Sequence, residues 1–203
     1  MPRYTDIHSI DGRISVDERP LTMRRSISLL LASLAALVLL GSTVSASANA
    51  SHRAVTNRDL QAIRAATAKY HNIATALADG YVPFVDINGV SCIAEPGMGG
   101  MGVHFVNPAL IQDPAINPDQ PEALVYAPDR DGTLRLAALE YLVDKLAWTS
   151  THSAPPALFP GNPFDETDAP NRFGLADFYS QHVWAWKRNP AGSLAMWNPH
   201  VHC

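Results

Sequence analysis

Much of the vocabulary of catalysis and membrane insertion is missing from this chain. No GxSxG, HExxH or CxxC occurs, so there is no nucleophile elbow, zinc-protease helix or dithiol pair to read. No apolar run reaches the ~20 residues that span a bilayer. The strongest one, Ile27 to Leu40, has 14. No run of like charge occurs either. Residues 51–203 carry 10 Lys and Arg against 15 Asp and Glu, a balance of −5. That disfavours nucleic acid or an anionic membrane as partner, since both need a basic face. Cysteine is scarce, with only Cys92 and Cys203.

What is present at the N-terminus reads as an export signal. Arg24 and Arg25 form a positive n-region, Ile27 to Leu40 an apolar h-region of the right length, and Ala48-Asn49-Ala50 a small-residue cleavage site. The reading is residues 1–22 as a non-native extension or long n-region, with Met23 as the start. Residues 23–50 are then the signal peptide, and cleavage after Ala50 leaves 51–203 as a single mature domain. An uncleaved anchor is the alternative. Arg24-Arg25 also hints at twin-arginine export beside the general secretory route. No Cys lies near the cut, so no lipid anchor is expected, and the product is expected secreted or extracytoplasmic and free of the membrane. In an oxidising compartment the Cys92 and Cys203 pair reads as a disulfide. A thiolate ligand at Cys203 is the competing reading.

The periodicities predict an α+β domain: an N-terminal amphipathic helix packed on an antiparallel sheet of hairpins, with long Pro-rich loops. Thr56 to Asp59 is a capping box. Leu60, Ile63, Ala66, Tyr70, Ile73 and Leu77 follow at helical spacing, and Gly80 stops the run. One helix from Asn57 to Asp79 is therefore expected. Asn88-Gly89 predicts a hairpin between 81–87 and 90–93. The glycine-rich segment Pro96 to Gly102 leads into a short strand at Val103 to Val106. A second hairpin joins Ala123–Tyr126 to Thr133–Val143 through Pro128 to Gly132. Leu139, Leu142, Val143 and Leu146 also suit a helix, so 133–146 stays open between strand and helix. Phe178 to Trp186 reads as a strand. Asn-Pro pairs begin at Asn107, Asn117, Asn162, Asn189 and Asn198, and each marks a chain reversal.

The glycine-rich segment lacks the Lys and hydroxyl of a phosphate loop and the strand–turn–helix context of a dinucleotide site. Close backbone packing is the simpler reading, since glycine lets chains approach. Met98 and Met101 there are candidate soft ligands for copper, or core fillers.

Chemistry then rests on histidine and glutamate. Strand alternation places His182, Trp184 and Trp186 on one face, and Glu140 with Leu134, Leu136, Ala138 and Leu142 on one face. A carboxylate among leucines needs a partner, and His104 and His182 are the candidates. Two imidazoles and a carboxylate are a common divalent-metal set, with zinc or copper the candidate ions. The same three residues also suit a satisfied hydrogen-bond network with no ion. His200 and His202 would share a face in an extended tail and complete the shell, or else belong to a tail that only delivers Cys203 to its bridge. No catalytic residue and no organic cofactor site can be named.

His104-Phe105, Leu124-Val125-Tyr126, Leu139-Glu140-Tyr141 and His182-Val183-Trp184-Ala185-Trp186-Lys187 occur in that order. The order resembles the oil-body-associated protein family and its bacterial relatives, over roughly Gly102 to Gly192. The ending Asn198-Pro199-His200-Val201-His202-Cys203 is similar to that of a group of small secreted bacterial proteins closing on Asn-Pro-x-Val-x-Cys. The chain departs from the oil-body family in lacking its additional histidines near His104 and in carrying an export signal. The resemblance implies strand for Thr133 to Val143, singles out His104, Glu140 and His182, and implies no reaction. The expected function is an exported binding domain for a divalent metal, a small ligand or an extracellular partner. A secreted metal-dependent enzyme at the same site, and a structural protein with no site, are the alternatives.

Overall fold

The computed structural model describes residues 54–203, so the export segment expected over 1–50 lies outside the described residues. The described part is α+β and is built on one seven-stranded antiparallel sheet. Its strands are β1 (Val82–Pro83), β2 (Cys92–Glu95), β3 (Gly99–Val106), β4 (Ala123–Pro128), β5 (Leu134–Asp144), β6 (Asp165–Thr167) and β7 (Phe178–Val183). They run in the order β1-β3-β4-β5-β7-β6, and β2 pairs β3 beside β1.

The helical segment begins at the capping box, where the Thr56 hydroxyl accepts from the Asp59 N–H and the Asp59 carboxylate accepts from the Thr56 N–H. The single helix expected over Asn57–Asp79 is broken. α1 (Asn57–Thr67) passes into a 3-10 turn, Ala68–His71, and α2 (Ile73–Ala78) follows. The break has a local cause. Asn72 is extended and its side chain accepts from the Ala74 N–H, so it caps a new helix instead of continuing the old one. Leu60 and Ile63 of α1 lie in one buried cluster with Leu124, Leu136, Leu139, Tyr141 and Val183 of the sheet. The two remaining helices are short: α3 (Pro108–Ile111) and α4 (Lys145–Thr149).

The first hairpin is also redrawn. Asn88-Gly89 does turn, within a loop closed by Asp86 N–H to Val90 O at 3.0 Å, but its flanks do not pair with each other. β1 and β2 both pair with β3 instead. β3 starts earlier than the Val103 expected, because its glycines are needed inside the sheet. A Cβ on Gly99 would sit 2.2 Å from the Asn198 carbonyl, and one on Gly100 2.8 Å from the Val201 side chain. The C-terminal segment lies directly over these positions, bridging Gly100 and Asn198 through both backbone groups. Close backbone packing, not phosphate binding, accounts for the glycines. Cys92 and Cys203 are bonded, so Cys203 is not a thiolate ligand.

Residues 133–146 resolve as strand to Asp144 and helix from Lys145. The alternation within β5 is not the simple one expected. Val125 pairs Ala138 and Tyr126 pairs Leu136, which leaves Ala137 as an extra residue. Such a bulge swaps the faces on either side of it. Leu136 therefore faces the helices with Leu139, while Ala138 packs on the opposite side. Glu140 keeps its place beside Ala138 and Leu142 but not beside Leu134 and Leu136. The Ala137 carbonyl accepts from both Trp186 and Lys187 N–H. Those bonds draw the chain out of β7, which ends at Val183 and not at Trp186. Trp184 stays on the face of His182, but Trp186 crosses to the helix side. There its indole N–H reaches the Thr67 hydroxyl.

Candidate metal centre

Pairing register brings the three chemical side chains to one face. Glu140 on β5 is directly opposite His182 on β7. Across β4, Ala123 is opposite Glu140 and Val125 is opposite His104 of β3. Three strand spacings separate β3 from β7, about 14 Å in a flat sheet. The imidazoles close that gap by leaning together over the small Ala123 and Ala138. The bulge at Ala137 favours this, since bulges bend and twist the strand that carries them.

The donor atoms converge. His104 Nε2 lies 3.4 Å from His182 Nε2 and 3.5 Å from Glu140 Oε2. His182 Nδ1 lies 3.8 Å from Glu140 Oε1. Among the described residues these form the only group of three or more His, Cys, Asp or Glu placed to share an ion, with one donor from each within 4.8 Å of the others. Tetrahedral zinc with bonds of 2.0–2.1 Å separates its ligand atoms by about 3.3 Å. The two shorter spacings are close to that figure.

Both imidazoles are nearly inaccessible, at 3% exposure each. Burial pushes His104 down to about 4, with Glu140 opposing and His182 reinforcing the shift. Burial likewise pushes His182 down to about 4. Both rings are therefore neutral at pH 7, the form that binds metals. Burial raises Glu140, against the pull of His104 and the Ser180 hydroxyl. His104 Nδ1 has no hydrogen bond of good geometry, and the nearby Gly102 carbonyl gives it only weak support. That carbonyl is the kind of outer partner a metal-bound imidazole uses. The Trp184 ring stacks near His182, centroids 6.4 Å apart.

The tail histidines do not join. His200 and His202 are exposed, and between them Val201 is buried with Val125 and Trp184. The extended tail expected for the pair does not form at His200, which lies in a turn closed by the Val201 N–H to the Asn198 carbonyl at 3.0 Å, and Val201 takes the inner position. Met98 is 52% exposed and Met101 is buried at 2%.

One acid was not legible in the sequence. Glu122, just before β4, is 2% exposed, and its Oε2 accepts from the Leu142 N–H at 2.9 Å. Burial raises its carboxyl to about 8, with Glu140 adding to the shift. His104, Glu122 and Glu140 are among the residues lining a cavity of about 130 Å³ whose other lining residues are apolar. An acid placed against an apolar strand, Glu122 before Ala123-Leu124-Val125, was the available signal.

In the comparisons with known proteins, no family model, no curated protein and no solved structure matches the chain.

Proposed function

We propose that this is an exported domain that binds one divalent metal ion, zinc in the first instance, through His104, Glu140 and His182. The observation that carries the reading is the spacing of the three donors, 3.4 and 3.5 Å about His104 Nε2, with both imidazoles buried. Two neutral imidazoles and one carboxylate supply a ligand set that suits zinc or copper. The bonded Cys92 and Cys203 support an oxidising compartment, since such bonds persist mainly outside the reducing cytosol. The N-terminal helix, resting on the opposite face of the sheet, and the Pro-rich loops serve as scaffold.

A second reading is favoured by one observation. The cluster adjoins an apolar cavity, with His104 and Glu140 on its wall. A metal held there would face a ligand space, as in metal-dependent enzymes, which keep a coordination position open. No reaction is assigned.

The test is metal content and affinity. Protein purified without a His-tag is expected to carry one zinc per chain. Glu140→Gln and His182→Ala should each weaken zinc by at least ~100-fold, at the upper end of what even supporting residues contribute. His200→Ala with His202→Ala should change nothing. A folded protein that takes up neither zinc nor copper refutes the proposal.

A further inference from the structure

The cavity beside the cluster has walls of strongly unequal character. Phe84, Ile111, Phe173 and Leu175 reach it from outside the sheet, Leu142 and Phe178 add apolar side chains from the sheet itself, and its titratable groups are His104, Glu122 and Glu140. It is formed by parts of the chain far apart in sequence, and two of them are tied together. Asp86 Oδ2 accepts from Arg172 Nη2 at 2.6 Å and Nε at 3.1 Å, and the Ile87 N–H donates to the Arg172 carbonyl at 3.0 Å. The clamp fixes the loop carrying Phe84 to the loop carrying Phe173, whose rings lie 6.5 Å apart. Phe173 in turn meets Phe178 edge-on at 5.9 Å. The walls are thus braced from outside, and the space between them is kept.

Size and charge restrict what fits. The volume is about 130 Å³. An engineered apolar cavity of about 150 Å³ takes a benzene-sized molecule. No Lys or Arg lines the space, and the nearby Arg172 is engaged by Asp86. With no ion in the cluster, a carboxylate ligand would leave an oxygen against phenylalanine and leucine with no donor, and an ammonium would leave N–H donors there with no acceptor, which is costly in both cases. A hydroxyl needs a single partner, and Glu140 and His104 supply one.

We propose that this cavity binds a small neutral molecule with a ring-sized apolar body and one hydroxyl, its oxygen directed at His104 and Glu140. This deepens the metal-site reading and rests on it for the fate of the hydroxyl, while the cavity itself stands apart from it.

The experiment titrates phenol, benzene and benzoate into the zinc-loaded and the zinc-free protein, followed by calorimetry or NMR shifts. Phenol should saturate at one per chain with a Kd on the order of 0.1–1 mM, as its few heavy atoms allow. To the zinc-free protein it should bind at least ~10-fold tighter than benzene or benzoate, the worth of one good buried hydrogen bond. Leu175→Trp, which fills the cavity from a loop, should weaken phenol by at least ~10-fold and leave zinc affinity unchanged. Phe173→Ala should enlarge the space and raise affinity for 2-naphthol by at least ~10-fold over the parent. Absence of saturable phenol binding to protein that holds its zinc overturns this inference and spares the metal reading. Benzoate binding tighter than phenol to the zinc-free protein overturns it as well. Phenol binding that Leu175→Trp abolishes, in a protein that never takes zinc, supports the cavity and refutes the metal.

Discussion

On the helix side of the sheet, three buried phenols each donate to a backbone carbonyl at 2.7 Å: Tyr81 to Pro121, Tyr126 to Tyr70, and Tyr141 to Pro118. On the opposite side, His104 Nδ1 lacks a well-formed bond, two buried carboxyls are raised, and a cavity adjoins them. The helix side has one comparable exception, Gln181 Oε1. Native interiors pair nearly all their buried polar groups. Each side thus leaves one buried polar atom without a bond among the described residues. What sets the other side apart is that His104, Glu122 and Glu140 gather beside one cavity.

Breaking the bridge should have the largest effect. Cys92 and Cys203 are 111 residues apart, so loss of the link frees a long loop in the unfolded chain. Replacing both by Ser should cost about 5 kcal/mol in the loop-entropy account, read from urea unfolding. The loss should fall on the site side, because the tail it anchors puts Val201 against Val125 and Trp184.

The sharpest contrast uses neighbours on β5. Leu139→Ala, on the helix side, should cost about 2–5 kcal/mol by leaving a cavity, while the folded protein keeps its zinc affinity. Glu140→Leu, one residue on and facing the other way, should lose zinc but leave metal-free stability within about 1 kcal/mol of the parent, or raise it. Replacing a buried polar cluster member by an apolar one of similar size removes a desolvation cost.

The same difference between faces shows in pH dependence. Glu122 holds its proton to about 8 in the folded chain and to about 4.3 when unfolded. Across that window the folded form binds more protons, so stability falls as pH rises. The two histidines, pushed down to about 4, work in the opposite direction, but chiefly below ~6.5. Metal-free protein should thus lose about 1 kcal/mol between pH 6.5 and 8, the histidines offsetting part of the Glu122 effect. Glu122→Gln should flatten that decline. A parent stability that stays level over the window contradicts the assignment. Tyr126→Phe, on the helix side, should cost about 1 kcal/mol through the orphaned Tyr70 carbonyl, with no effect on pH dependence or zinc.

Features set by local chemistry could be read from the residues. Asn107, Asn117, Asn189 and Asn198, each followed by Pro, accept from the N–H two residues on. The capping box and the Pro128–Gly132 turn formed as their residues dictate. His104, Glu140 and His182 were singled out because few groups with chemistry were available, and the sheet brings their side chains together. Features set by one residue of register were not legible. The extra Ala137 reverses which leucines share a face with Glu140, and nothing in Leu136-Ala137-Ala138 announces it. Asn72 ends a helix whose apolar spacing continues through it. The cavity was hidden for another reason: its walls come from loops near 84, 111 and 173, which join only in three dimensions.

X-ray absorption at the zinc edge of the loaded protein tests the central claim most directly. The expected spectrum has a first shell of nitrogen and oxygen near 2.0 Å with the outer-shell scattering of two imidazoles, and it loses one imidazole in His104→Ala. A sulfur shell near 2.3 Å, or a spectrum unchanged in His104→Ala, would contradict it.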